Sequence, residues 1–313
     1  MKKVFCKMAL ATVLALTTLF TGCKAPSSGG GGNSFNALET PLTLEAIDSG
    51  EITFNNLDRI TNLKYRINDE EVTAATDTGI SLSAGDKISL FAEGTSNGDS
   101  SNQCFTINCS SDCYVYGNVM SLLTEDYQTA TEITQNYYAF ACLFYDNSHI
   151  KNHPSKNIVL PATTLAYGCY ESMFHGCTSL TQAPVLPATT LTDYCYHDMF
   201  RGCSSLTQAP ALPATALADA CYAGMFYGCT SLTQAPDLPA TTLADYCCYK
   251  MFYGCTSLNK VTCLATDLSA PSCTTEWLYG VASSGTFTKA SGADWSVKTG
   301  YNGIPSGWAI QNK

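Results

Sequence analysis

Residues Leu160–Val185 read LPATTLAYGCYESMFHGCTSLTQAPV, and the chain repeats them in register. Leu186–Ala211 is LPATTLTDYCYHDMFRGCSSLTQAPA, Leu212–Asp237 is LPATALADACYAGMFYGCTSLTQAPD, and Leu238–Cys263 is LPATTLADYCCYKMFYGCTSLNKVTC. The period is 26 residues without insertion. A degenerate copy follows from Leu264, with Cys273, Trp277-Leu278 and Gly280 on the Cys, Met-Phe and Gly columns. Another precedes the array, where Tyr138–Ile150 (YAFACLFYDNSHI) matches the Cys-Tyr to Ser-Leu part, with a four-residue insertion before Leu160. A fixed period with atypical end copies signals stacked units, each burying an apolar face against its neighbours.

Within a unit, Leu191, Cys195, Met199 and Cys203 recur every four residues. That spacing predicts one stripe of a short helix, with Asp193, His197, Asp198 and Arg201 facing water and Gly202 closing it. Leu206 to Ala209 is then extended, and Pro210 and Pro213 exclude helix there. Copies are expected to stack through parallel strands, the ladder covering only Ser-Leu-Thr-Gln because Pro removes a donor.

The Met-Phe-x-Gly-Cys-Thr/Ser-Ser-Leu motif at Met173 to Thr181, Met199 to Thr207, Met225 to Thr233 and Met251 to Leu258, followed by Pro and Leu-Pro, resembles the leucine-rich repeats of the BspA type, also called the Treponema pallidum-type repeat. The resemblance covers about residues 136–280. It implies a leucine-rich-repeat solenoid on an exported bacterial protein, in a family linked to adhesion to host matrix proteins, host cells and other bacteria. The expected fold is therefore α+β: a solenoid of 26-residue helix/strand units, preceded by a small all-β, sandwich-like domain.

The N-terminus reads as an address. Lys2, Lys3 and Lys7 precede the uncharged apolar run Met8–Phe20, too short to span a bilayer comfortably and typical of a signal sequence. Leu19-Phe20-Thr21-Gly22-Cys23 resembles a lipobox, with Phe20 where Leu is usual. In that family the Cys, here Cys23, becomes the lipidated N-terminus. An ordinary secretory signal is the alternative. A Gly/Ser tether follows, with a mean span of roughly 20 Å. The expected organisation is signal 1–22, tether 23–38, β domain 39–135, repeats 136–280 and C-terminal cap 281–313. The expected location is the bacterial cell envelope, at the outer membrane or cell surface, with membrane contact through the lipid only.

Composition narrows the function. The 313 residues carry a formal net charge of −10, and only 13% are charged. Such a chain is a poor match for nucleic acid, where phosphate neutralisation supplies most of the affinity. No H-E-x-x-H, G-x-S-x-G or phosphate loop is present, and neither an enzyme activity nor a cofactor is expected. There are 17 Cys. Cys169, Cys195, Cys221, Cys247 and Cys273 form one column; Cys177, Cys203, Cys229 and Cys255 form another. Eight residues apart, about 12 Å on a helix, the columns are too distant for one metal or one disulfide. Ala139 and Val281 replace them in the end copies, which marks both columns as small buried packing residues. Outside the repeats, Cys104, Cys109 and Cys113 cluster, and export would permit a Cys104–Cys113 or Cys104–Cys109 bridge.

Columns that vary between copies mark the candidate binding face. The column before the Gly reads His175, Arg201, Tyr227, Tyr253; another holds Tyr194 and Tyr246; a third reads Tyr170, Tyr196, Tyr222, Cys248. Tyr is common on binding surfaces, though the third column could equally pack between units. Adhesion to a host matrix protein, a host receptor or a neighbouring bacterium is the expected function. Glycan binding and a structural envelope role without external ligand are the alternatives.

Overall fold

The computed structural model describes residues 36–95, 103–134, 137–298 and 300–313. The signal 1–22, the lipidation residue Cys23 and the tether up to residue 35 lie outside the described residues.

The N-terminal region is built from short strands on the alternating segments: β1 (Thr43–Ala46), β2 (Gly50–Asn55), β3 (Lys64–Ile67), β4 (Thr73–Ala74), β5 (Ile80–Leu82), β6 (Lys87–Phe91), β7 (Thr106–Cys109) and β8 (Cys113–Asn118). In β5 and β2 alternate side chains turn inward, as in Ile80 and Leu82 or Ile52 and Phe54. Two further strands, β9 (Ile150–Asn152) and β10 (Ile158–Val159), flank the four-residue insertion. They add in parallel to β8, completing a seven-stranded sheet in the order β10-β8-β1-β6-β3-β4 with β9 also on β8. Strands β5-β2-β7 make a second, three-stranded sheet. The insertion thus joins the sheet to the repeats. Asn152 Oδ1 also accepts from the backbone N–H of Thr181 and Gln182, at 2.9 and 3.0 Å.

The helix expected in each repeat does not form, and the helix/strand leucine-rich-repeat reading of the fold is corrected. Among the described residues there is no α-helix, only short 3-10 segments such as Val119–Leu122. Thr124 to Ala141 forms no helix where it is described, only turns, irregular backbone and the isolated bridge Glu132–Thr164. The second copy shows why. From Tyr194 to Gly202 alternate N–H groups leave the unit: Tyr194, Tyr196, Asp198, Phe200 and Gly202 donate to the carbonyls of Asp219, Cys221, Ala223, Met225 and Tyr227, at 2.7–3.1 Å. The N–H groups between them close local turns three residues back, as in His197 to Tyr194 at 3.0 Å and Arg201 to Asp198 at 3.1 Å. An α-helix needs all of these donors four residues back. The backbone instead turns left-handed every fourth residue, with φ of 59° at Tyr194, 51° at Asp198 and 74° at Gly202. Each non-glycine residue in that region costs about 1–2 kcal/mol, offset by bonding between units.

This string of turns sets its own pattern. Cys195-Tyr196 point in, His197-Asp198 outward, Met199-Phe200 in, Arg201-Gly202 outward, and Cys203 in. Two-in, two-out produces the four-residue spacing. Units stack as rungs, with Phe144, Phe174, Phe200, Phe226 and Phe252 in one buried ladder at centroid spacings of 5.5–5.8 Å. The second Cys column supplies donors between rungs. Sγ of Cys177, Cys203, Cys229 and Cys255 donates to the carbonyls of Phe144, Phe174, Phe200 and Phe226, at 2.9–3.1 Å. Burial pushes the Cys203 and Cys255 thiols up to about 12, so both stay protonated.

The Pro-containing segments pair less than expected. In the first three copies parallel pairing shrinks to single bridges such as Gln182–Gln208 and Thr190–Ala216. The fourth copy has Asn-Lys-Val-Thr in place of Thr-Gln-Ala-Pro, and there β11 (Lys260–Cys263) forms. It pairs in parallel with β12 (Gly285–Lys289), and β12 with β13 (Trp308–Asn312). In the last copy Trp277 takes the Met position and Leu278 the Phe position; Trp277 stacks on Trp295 at 5.4 Å and meets Phe287 edge-on. One hydrophobic core runs from Leu42 to Trp308, and the described residues form one compact unit.

Candidate recognition surface

The turn string decides which Tyr columns reach solvent. Tyr170, Tyr196 and Tyr222 face inward, each about 1% exposed. They continue the stack begun by Phe140, with near-parallel rings 5.6–6.1 Å apart. The hydroxyls of Tyr170 and Tyr196 are buried without a hydrogen-bond partner. These three residues belong to the core, so this column is removed from the binding face. The packing alternative holds for it, and Cys248 fills the same buried position in the fourth copy.

The column before the glycine behaves differently. His175, Arg201, Tyr227 and Tyr253 are half-buried on the outside of successive rungs. Their carbonyls accept from the N–H of Asp146, Gly176, Gly202 and Gly228, all at 2.7 Å. That bonding holds neighbouring side chains at one rung spacing. The Arg201 guanidinium lies 4.2 Å over the Tyr227 ring. Tyr227 stacks on Tyr253 at 4.7 Å and 5°, and Tyr253 on Tyr279 at 4.8 Å and 23°. Tyr145 extends the column at one end, stacked on His175 at 4.4 Å. Tyr301 meets Tyr279 edge-on at the other, at 4.5 Å. The sequence reading missed these three. Tyr279 was available, since it precedes Gly280 as Tyr253 precedes Gly254. Tyr145 was hidden because Asp146, at φ 54°, takes the glycine position.

The column with Tyr194 and Tyr246 is broken by Ala220 in the rung between. Tyr194 packs with Tyr167 and His197, while the exposed Tyr246 meets Tyr249 edge-on.

A polar cleft of about 590 Å³ opens beside the His175–Arg201 end. Asn55 and Asn108 line it from β2 and β7, Asn56 from the turn after β2, and Glu171, His175, His197, Asp198 and Arg201 from the rungs. His197 was expected to be solvent-facing; its side chain is only 28% exposed. Its Nδ1 lies 3.5 Å from Glu171 Oε1, an ion-pair distance. Burial opposes the charge on His197, but the Glu171 and Asp198 carboxylates outweigh it and raise its pKa above the ordinary 6.5. Arg201 pairs with Asp198 at 3.4 Å. The cleft therefore presents paired charges with hydrogen-bonding capacity and little net field.

The first Cys column, Cys169, Cys195, Cys221, Cys247 and Cys273, is fully buried. Among the described residues no group of three or more His, Cys, Asp or Glu is arranged to hold a metal ion, and no helix is long and apolar enough to cross a membrane. Comparison with known proteins returned no matching family model, no matching curated protein and no matching solved structure.

Proposed function

We propose that this chain is an exported, non-enzymatic recognition protein, held at a bacterial envelope through a lipid on Cys23, which binds a protein partner through the outer column of its rungs. The observation that carries this reading is the run Tyr145, His175, Arg201, Tyr227, Tyr253, Tyr279 and Tyr301. The stacked rings cover each other's faces, leaving ring edges for a partner. Rigid Tyr edges offer contact area and hydrogen bonds at low entropy cost, which suits a protein surface. Stacking on a sugar needs a free ring face, which the column's interior lacks. Six rungs at one strand spacing span roughly 25–30 Å, the width of one partner module. The resemblance of the Met-Phe-x-Gly-Cys motif to adhesion-linked surface proteins supports the same reading.

The cleft favours a second reading. Its three Asn side chains and paired charges suit a polyhydroxylated glycan terminus held by hydrogen bonds. One experiment separates the two. The purified protein and its Tyr227→Ala/Tyr253→Ala variant are compared by surface plasmon resonance against matrix proteins and glycans, with Tm as the folding control. The proposal expects saturable binding to a protein, kept after that protein is deglycosylated and weakened at least about tenfold in the variant. Binding that vanishes on deglycosylation and ignores the Tyr substitutions would move function to the cleft.

A further inference from the structure

Of the six described thiols outside the rung columns, four fall into two pairs; the others are Cys248 and Cys263. Cys104 and Cys142 pack in a small buried cluster of their own with Ala141 and Tyr138. Backbone bonding brings their segments together. Ile107 N–H donates to the Leu143 carbonyl at 2.8 Å, and Asn147 Nδ2 to the Ile107 carbonyl at 3.1 Å. The two thiols share a hydrogen bond. Cys109 ends β7 and Cys113 begins β8, with only Ser110-Ser111-Asp112 between them. The flanking turn is pinned by Ser110 N–H to the Glu51 carbonyl and Ile47 N–H to the Asp112 carbonyl, at 3.0 and 2.9 Å. Within that turn Cys113 Sγ donates to the Ser111 carbonyl at 3.5 Å, and Cys109 Sγ accepts from Asn147 Nδ2 at 3.4 Å. The second rung-column thiols, Cys177, Cys203, Cys229 and Cys255, each donate to the Phe carbonyl of the rung before. Cys247 and Cys248 approach to 3.7 Å but are adjacent in the chain, and a bridge there would strain the peptide between them.

We infer that Cys104–Cys142 and Cys109–Cys113 are the disulfide-forming pairs of this protein. The pairing replaces the Cys104–Cys113 and Cys104–Cys109 bridges expected from spacing. The first bridge ties the loop before β7 to the leading rung, on the wall of the polar cleft that both residues line. The second staples the turn that passes from one sheet to the other.

Oxidation runs by thiol–disulfide exchange with a glutathione-type disulfide. The Cys104 thiolate attacks one sulfur of that disulfide and releases one thiol. Cys142 then loses its proton, attacks the Cys104 sulfur and releases the second thiol. Two protein thiols are oxidised and one external disulfide is reduced to two thiols. Contact with Cys142 holds the Cys104 thiol below its ordinary value, and contact with Cys104 together with burial holds Cys142 above it; either thiol can make the first attack, the other completing the exchange. Cys109 and Cys113 divide in the same way.

The test refolds the purified protein in oxidised and reduced glutathione, blocks remaining thiols with N-ethylmaleimide in denaturant, and maps peptides without reduction. The expected result is a Cys104 peptide linked to a Cys142 peptide, a closed Cys109–Cys113 loop, and maleimide on every rung-column Cys. Maleimide on either pair, or a link between other residues, overturns the inference for that pair. A second measurement compares Tm with the Cys142→Ser variant. Wild type should exceed the variant by about 5–10 °C when oxidised and match it after dithiothreitol. An equal difference in both states would assign Cys142 to packing and overturn the bridge.

Discussion

The sheets before residue 123 and the rungs after residue 137 satisfy their backbones in different ways. In the sheets every strand bonds sideways, as β1 does to β6 and β8. In the rungs half the amides bond sideways to the next copy and half close turns within their own. A strand therefore shows a period of two and a rung a period of four. The rungs accept left-handed non-glycine residues that a strand never needs, and in return hold one side chain per copy in an outward column. The difference teaches that a repeat can fix a surface ladder without helix or strand, so long as each copy bonds the next.

The largest effects test whether the two regions unfold as one. Phe200→Ala in the rung ladder and Leu90→Ala in β6 should each cost about 3–5 kcal/mol and shift one common transition, because a single core contains both residues. Calorimetry showing two separate transitions would break that continuity.

Next come the inter-rung thiol donors. Cys203→Ala should cost about 1 kcal/mol, because the Phe174 carbonyl loses the 3.0 Å thiol donor while keeping the Cys177 N–H at 3.1 Å. Cys203→Ser should lose less, because the hydroxyl still donates. Denaturant titration checks the order, and equal losses would show that only packing matters.

Two substitutions have signs that separate turns from helices. Ala220 sits at φ 52°. Ala220→Gly should stabilise by up to about 1 kcal/mol, whereas glycine within a helix would cost about that much. Tyr196→Phe should stabilise by about 1 kcal/mol, since it removes a buried hydroxyl that makes no hydrogen bond. Chemical denaturation reads both.

The smallest effects are in pH, and the regions should respond in opposite directions. Burial raises the Glu45 pKa, but hydrogen bonds from Lys156 and Tyr116 outweigh it and hold the carboxyl below its ordinary 4.5. Its contribution is present above that value and lost as pH falls through the depressed one. His197 is raised above 6.5, so its contribution is complete below 6.5 and lost as pH rises through the raised value. Thermal melts across pH should show Glu45→Gln flattening the acid side and His197→Gln the neutral side. Unchanged profiles would remove these pairs from the account.

The strands were legible because Pro41 to Ile47 and Lys87 to Phe91 alternate, and the single repeat strand lies where Pro is missing at Lys260–Cys263. The rungs were misread as helices because Leu191, Cys195, Met199 and Cys203 also share a stripe there. Yet a spacing of four drifts about 40° per step on a helix of 3.6 residues per turn. Three unbroken steps, with doublets Cys-Tyr and Met-Phe, already argued for a fold with its own period. Of the candidate face, the column before the glycine was legible because it varies while its neighbours do not. The column with Tyr196 was not, because Tyr is at home on both sides of a surface. The cleft needed residues such as Asn56 and His197, which are distant in the chain and meet only in the folded molecule.

The most direct test excises Leu186–Asp237, two whole periods, leaving the sheets and both end copies intact. The shortened and full proteins are compared by surface plasmon resonance on the same matrix proteins and glycans, with circular dichroism confirming that both fold. If the rungs carry recognition, the full protein binds saturably and the folded, shortened one does not. Equal binding by both would contradict the account and place recognition on the sheets or the terminal cap.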